Sequence, residues 1–121
     1  MSRLAVVVVT HESGGVLPAT LRALLPQLRE GDELVVVDCD SHDGLSALLH
    51  EHAPAARLVE LRENRGFAGG ARVGARETSA PLLLFLNPDA VPQPGCLDEL
   101  RAAAGVPVSY THLTLPTTPY V

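Results

Sequence analysis

The six residues Leu4-Ala5-Val6-Val7-Val8-Val9 are aliphatic without interruption. A strand with one wet face alternates apolar and polar residues, so a run with no polar position has both faces buried, as in the centre of a parallel sheet. This strand stops at Thr10-His11-Glu12-Ser13-Gly14-Gly15, a polar, glycine-bearing segment suited to a loop. The feature recurs. Glu33 to Asp38 carries Leu34-Val35-Val36-Val37 and then breaks into Asp38-Cys39-Asp40-Ser41-His42-Asp43-Gly44, and shorter aliphatic runs follow at Arg57 to Leu61 and Leu82 to Leu86.

Segments of helical period lie between these strands. Leu17, Leu21, Leu24, Leu25 and Leu28 share one face, Pro18 suits a first turn and Gly31 a stop, which predicts a helix over about Leu17 to Leu28. Further helices are expected over Leu45 to His52, over the Gly- and Ala-rich stretch from about Phe67 to Glu77, and over Cys96 to Ala104. Strands alternating with helices imply right-handed crossovers and an α/β fold with a mostly parallel sheet and helices on both faces. Ligands bind such sheets beyond the carboxyl ends of the strands, where every polar cluster of this chain falls.

At 121 residues, 46% hydrophobic and 19% charged, the chain is sized and composed for one globular domain. Its net charge of -5 and nine scattered arginines, with no lysine, disfavour nucleic acid as a partner. No apolar run approaches the roughly 20 residues of a membrane span and no signal peptide is recognisable, so a soluble, cytoplasmic fragment is expected. Cys39 and Cys96 are too far apart for a C-x-x-C motif and are read as small buried hydrophobes.

The last residues depart from this composition. Val108 to Val121 is rich in threonine, holds both tyrosines of the chain, and lacks Ala, Arg, Asp and Glu. It resembles translated sequencing-adapter read-through, with a natural Pro-Thr linker as the alternative. The expected division is a domain over residues 1–106 and a non-native or disordered tail over 107–121.

Four clusters carry candidate chemistry. At the exit of the fourth strand, Asn87-Pro88-Asp89 offers a carboxylate and an amide two residues apart. A hard divalent cation shared with a diphosphate needs only one or two protein oxygens, so Asp89 is a candidate metal ligand and Asn87 a helper or a sugar or ribose contact. Taken alone, Asn-Pro-Asp is a common turn with Asx character, the reading favoured for the motif in isolation. Asp38, Asp40 and Asp43 follow the second strand, where acidic groups accept hydrogen bonds from a base or ribose. Asp43 or Ser41 alternatively caps the helix from Leu45, the reading favoured for Asp43. In Asn64-Arg65-Gly66-Phe67-Ala68-Gly69-Gly70-Ala71 the glycines allow a ligand or another backbone to come close, and the helix start favours anions. Gly69, Gly70 and Gly74 are alternatively a packing face. No G-x-G-x-x-G dinucleotide fingerprint follows the first strand.

In order and spacing, Val8-Val9-Thr10-His11-Glu12-Ser13, Val36 to Gly44, Glu63 to Gly70 and Phe85-Leu86-Asn87-Pro88-Asp89-Ala90 resemble the successive motifs of family 2 glycosyltransferases of the GT-A type. The resemblance covers about residues 3 to 104, and its Asn-Arg-Gly-Phe-Ala and Asn-Pro-Asp-Ala segments look most like the rhamnosyltransferase-like branch. It implies an incomplete GT-A, Rossmann-like domain that binds a nucleotide-sugar donor. Thr10, His11 and Glu12 would lie under the base and Asp38 would bind base or ribose, with Asp40 beside it. Asn64, Arg65 and Gly66 would line the nucleotide site, and Asp89 would close a D-x-D-like motif for Mg or Mn.

His11 stands where the family usually has Tyr, Glu12 where it has Asn, Arg72 where the helix often has Asn, and Asn87 where a first Asp is common. The implied reaction is direct displacement at an anomeric carbon, with a carboxylate base deprotonating an acceptor hydroxyl. In the family that base lies in a later half, so none is assigned here and the fragment is expected to be inactive alone. The full-length protein would use a glycan or lipid-linked acceptor in cell-envelope polysaccharide synthesis, in the cytoplasm or at the inner face of the membrane. The other readings are a non-catalytic nucleotide-binding module and a receiver-like phospho-acceptor domain, the latter opposed by the absence of lysine.

Overall fold

The computed structural model describes residues 3–104. The expected tail over 107–121 lies outside the described residues. In chain order the elements are β1 (Leu4–Thr10), α1 (Leu17–Leu24), β2 (Glu33–Cys39), α2 (Leu45–His52), β3 (Arg57–Leu61), α3 (Gly66–Arg76), β4 (Leu82–Leu86) and α4 (Cys96–Ala104). The strands form one sheet in the order β3-β2-β1-β4, with every neighbouring pair parallel. This is the expected α/β fold with a parallel sheet.

The unbroken valine run lies where its composition requires. β1 sits between β2 and β4, and all seven of its residues are buried. Its side chains divide between two cores. Leu4, Val6 and Val8 face Leu17, Leu21, Leu24, Leu45, Leu49 and Leu97, which come from α1, α2 and α4. Val7 and Val9 join Val35, Val37 and Cys39 under α3. Each fully buried Val or Leu is worth about 1.5–3 kcal/mol of hydrophobic transfer, so β1 anchors both layers.

The helix α3 lies close to the sheet because it is made of glycine on that side. Gly70 and Gly74 are its buried residues, and a Cβ added at Gly70 would fall 2.5 Å from Val9 Cγ1. These two glycines therefore form a packing face. Gly69 points elsewhere, toward the Cβ of Arg65 in its own first turn.

The expected first helix is shortened. α1 ends at Leu24 and the chain continues as a single 3-10 turn over Leu25–Gln27. Pro26 has no N–H to give to the carbonyl four residues back, so the α-helix cannot run through it. Gln27 at the end of this turn is used in packing: its Nε2 donates to Gln93 O at 3.0 Å and its Oε1 accepts from Leu97 N at 3.0 Å, tying α4 to the turn that follows α1.

The chain moves from β1 to β2 to β3 in one direction, with α1 and α2 on one face, then crosses back under α3 to β4 on the other side of β1. The strand order reverses between β1 and β4, and such a switch point opens a crevice at the carboxyl ends of the strands.

Candidate functional site

The register places the ends of the strands level with one another. Thr10 pairs with Asp38 across β1 and β2, and Val8 with Leu86 across β1 and β4. Thr10, Asp38, Asn64 and Asp89 consequently gather along one edge of the sheet, in the spatial order Asn64, Asp38, Thr10, Asp89.

Asp38 is 5% exposed. Thr10 Oγ1 donates to its Oδ1 at 3.4 Å. Asp38 lines a concavity of about 410 Å3 together with Asp40, Ser41, Glu60, Leu61 and Arg62. Glu60 and Arg62 went unnoticed in the sequence. They flank the end of β3, and the rule that ligands sit at carboxyl strand ends would have found them. Three carboxylates and one guanidinium make this a place for hydrogen-bond donors such as ribose hydroxyls and base N–H groups rather than for a bare phosphate.

His11 and Glu12 follow Thr10 but do not line this concavity. The His11 ring holds Nδ1 2.6 Å from the carbonyl of Cys39, which requires the proton on Nδ1 and leaves Nε2 outward. Glu12 N donates to Ser41 Oγ at 2.8 Å, and Glu12 Oε1 accepts from His42 N at 2.6 Å. Gly14 N donates to Asp43 Oδ2 at 2.7 Å. The loop after β1 is thus bonded to the loop after β2 at four places.

The expectation that Asp43 caps α2 is corrected by these bonds. The N-cap is Gly44 in the left-handed conformation, with no side-chain cap, and the Asp43 carboxylate is taken by Gly14. Ser41 is likewise engaged across the gap. Sequence alone favours capping because the competing donors lie some thirty residues away.

Among the described residues two other than glycine have positive φ, Glu12 at 51° and Asp40 at 57°, and both stand in these facing loops. Backbone held there costs about 1–3 kcal/mol per residue and persists where surrounding bonds fix it.

Beyond β3, Asn64 Oδ1 accepts from Gly66 N at 2.9 Å, an Asx turn that starts α3. Gly66 has φ +73°, which suits a residue without Cβ. The Arg65 side chain pairs with Glu63 at 3.1 Å on the surface. Burial pushes the Cys39 thiol up from its ordinary value, only partly countered by the backbone N–H of Arg65.

At the opposite end of the edge, Asn87-Pro88-Asp89-Ala90 forms a turn closed by Ala90 N to Asn87 O at 3.1 Å. Thr20 Oγ1 of α1 donates to Pro88 O at 2.8 Å and pins it. The turn reading is therefore correct as geometry, and it holds Asn87 and Asp89 exposed at the tip of β4. No group of three or more His, Cys, Asp or Glu that could hold a metal occurs among the described residues. The donor set fits a hard cation that takes one carboxylate from the chain and its other ligands from phosphate oxygens and water, and does not fit an all-protein cage.

The sheet is parallel with a switch point, and its carboxyl edge carries an acidic concavity at β2 and β3 and an oxygen donor at β4. The family model for glycosyl transferase family 2 matches residues 5–112, and the chain belongs to that family. Among solved structures it is similar to the mannosyltransferase PcManGT from Pyrobaculum calidifontis in complex with GDP-Man and Mn2+, at 25% identity and a TM-score of 0.80, covering 88% of this chain and 33% of that one. TarS 1-349 of S. aureus in complex with UDP-GlcNAc is similar at 22% identity and TM-score 0.75, covering 83% of this chain and 30% of that one. Glucosyl-3-phosphoglycerate synthase from Mycobacterium tuberculosis, in complex with Mn2+, UDP and glucosyl-3-phosphoglycerate, follows at 19% and 0.72, covering 85% and 39%. The last two show the fold alone. The chain spans 30–39% of the length of these structures. No curated protein sequence matches significantly.

Proposed function

We propose that residues 1–106 form the donor-binding part of an inverting, metal-assisted glycosyltransferase of the rhamnosyltransferase-like branch. The observation that carries this reading is the gathering of Asp38, Thr10 and Asp89 on one carboxyl edge of the sheet, with Asp38 in a concavity at one end and Asp89 exposed at the other. Two strand spacings, roughly 10 Å, separate the ends of β2 and β4. A nucleoside diphosphate would lie along this edge, base and ribose toward Asp38 and Asp40, diphosphate toward Asp89. The complex of the mannosyltransferase PcManGT with GDP-Man supports a nucleotide-sugar donor.

Asp89, helped by Asn87, would hold a divalent cation, Mg or Mn, whose charge stabilises the departing diphosphate. The Thr20 bond to Pro88 fixes the turn that presents this carboxylate. Asp38 would accept from a base N–H or ribose hydroxyl, oriented by Thr10. Asn64 to Gly66 would close the far side of the nucleotide site. The acceptor would be a glycan or lipid-linked hydroxyl in cell-envelope polysaccharide synthesis, on the cytoplasmic side of the membrane. Among the described residues no helix is long and apolar enough to cross a membrane.

Calorimetric titration of the folded chain with UDP- and GDP-sugars, with and without Mn2+, tests the reading. Metal-dependent binding is expected. Asp89→Ala should remove the metal dependence, whereas Asp38→Ala should weaken binding and leave it metal-dependent. A folded chain that binds no nucleotide under either condition overturns the proposal.

A further inference from the structure

The residue after His11 is glutamate, and its bonds give it a use that the nucleotide-site reading does not supply. Glu12 does not line the concavity that holds Asp38 and Asp40. Both of its polar ends are spent on the neighbouring loop: its N–H on Ser41 Oγ at 2.8 Å and its Oε1 on the His42 N–H at 2.6 Å. Ser41 and His42 directly follow Asp40, whose φ of 57° is a conformation that a residue with Cβ seldom keeps unaided. On its other side Asp40 donates its own N–H to Leu61 O at 3.0 Å. The short segment 40–42 is therefore gripped from β3 at its first residue and from Glu12 at the next two.

We propose that Glu12 is a positioning residue that locks the loop after β2 so that the Asp40 carboxylate is preset in the nucleotide concavity. This inference rests on the nucleotide-binding reading above. The argument is one of geometry. The grip on His42 is a charge-assisted hydrogen bond from a carboxylate, among the stronger kinds. It comes from a residue that is itself at φ 51° and so is directed across the gap rather than along its own loop. Asp43, bonded to Gly14 at 2.7 Å, and Cys39, whose carbonyl accepts from His11 at 2.6 Å, bracket the same segment. From the loop after β1, Glu12 reaches Ser41 and His42, and the His42 ring in turn lies with Nε2 3.7 Å from Asp40 Oδ1. A glutamine keeps the oxygen that His42 needs, and an alanine does not.

The test uses the 121-residue chain, titrated with UDP and with GDP in the presence of Mn2+. Glu12→Ala should weaken binding roughly tenfold, the scale of one charge-assisted hydrogen bond, and Glu12→Gln should recover most of that loss. In an Asp40→Ala background Glu12→Ala should cost nothing further, because a residue that acts through Asp40 has nothing left to position. Equal weakening in both backgrounds would mean that Glu12 touches the nucleotide itself and would overturn the proposal. A second measurement needs no ligand. The amide resonance of His42 should lie downfield in the wild type and in Glu12→Gln and move upfield in Glu12→Ala, with the melting temperature confirming that each variant is folded. An unmoved His42 amide overturns the lock. If the wild-type chain binds neither nucleotide, the proposed function fails, and the His42 amide still decides whether the lock exists.

Discussion

Gly74 of α3 lies against Val7 of β1 so closely that a Cβ on the glycine would sit 2.4 Å from Val7 Cγ1 and 3.1 Å from Val37 Cγ2. Both valines are fully buried and β-branched, so neither can turn aside. The separation between helix and sheet is set at this contact and at Gly70 above Val9 and Cys39.

Gly74→Ala should therefore destabilise the domain, although alanine is the better helix former. The gain in helix propensity is about 1 kcal/mol, and overpacking a dense core costs about 1–3 kcal/mol. A net loss is expected, read as a fall in the thermal midpoint, with Gly70→Ala behaving alike. Gly15→Ala, where nothing lies within 4 Å, is the control and should change little.

Asp32, before β2, is a second point of dependence. Its side chain is 2% exposed and meets Arg101 Nη2 of α4 at 2.6 Å. It also accepts from Leu4 N at 2.9 Å and Arg29 N at 2.7 Å. One carboxylate thus joins the start of β1, the turn before β2 and the last helix. Asp32→Ala takes from the largely buried Arg101 guanidinium its nearest carboxylate and leaves it Gln27 O at 3.4 Å and Asp98 Oδ1 at 3.8 Å; breaking a fully buried pair costs about 3–5 kcal/mol. Denaturant unfolding should show a loss approaching that and larger than for Asp98→Ala, whose bridge to Arg29 is exposed and whose approach to Arg101 is 3.8 Å.

The sequence specified the strands better than the loops. A run such as Leu4 to Val9 reports its own burial, and all four strands, α2 and α4 lie within a residue of expectation. The break in α1 was written in Pro26 but outvoted by the leucine period that continues to Leu28. Asp43 looked like a cap because a sequence shows only near neighbours, while the donor it meets is Gly14. Glu60 and Arg62 were missed because β3 is an edge strand, whose polar residues read as ordinary surface. The two roles open for the Asn64 to Gly74 glycines separate by position: Gly70 and Gly74 pack on the sheet, and Gly66 takes the left-handed turn.

Alkaline pH should loosen the domain through its cysteines. Burial raises the thiol pKa of Cys39 and Cys96 above their ordinary value of 9.0, with Glu99 adding to the effect at Cys96. The folded state then holds these protons when the unfolded chain has lost them, so their contribution is complete below pH 9 and is lost as pH rises through the raised values. The chain has no lysine, and Tyr110 and Tyr120 lie outside the described residues. The thermal midpoint should fall above about pH 9 in proportion to the thiols present, and the Cys39→Ala, Cys96→Ala double variant should show a shallower fall. An equal fall in the double variant would assign the effect elsewhere.

The 121-residue chain should bind a donor without transferring its sugar. Displacement at an anomeric carbon needs a base within hydrogen-bond reach of the acceptor hydroxyl as well as a held donor. Several described carboxylates have other engagements: Asp32 with Arg101, Glu12 with His42, Asp43 with Gly14, Asp98 with Arg29 and Arg101. Asp38 and Asp40 line the concavity assigned to base and ribose, Asp89 is assigned to the cation, and Glu99 is exposed on α4 away from the strand ends. The structures it resembles are about three times as long, which leaves room for an acceptor platform that the described residues do not form. Incubating the folded chain with a panel of nucleotide sugars and acceptors should give no glycosylated product, while a polypeptide extended with the natural downstream reading frame should give one. Acceptor-dependent turnover by the 121-residue chain would mean that one of these carboxylates has been given the wrong role, and Glu60, exposed at the end of β3, would be the first to substitute.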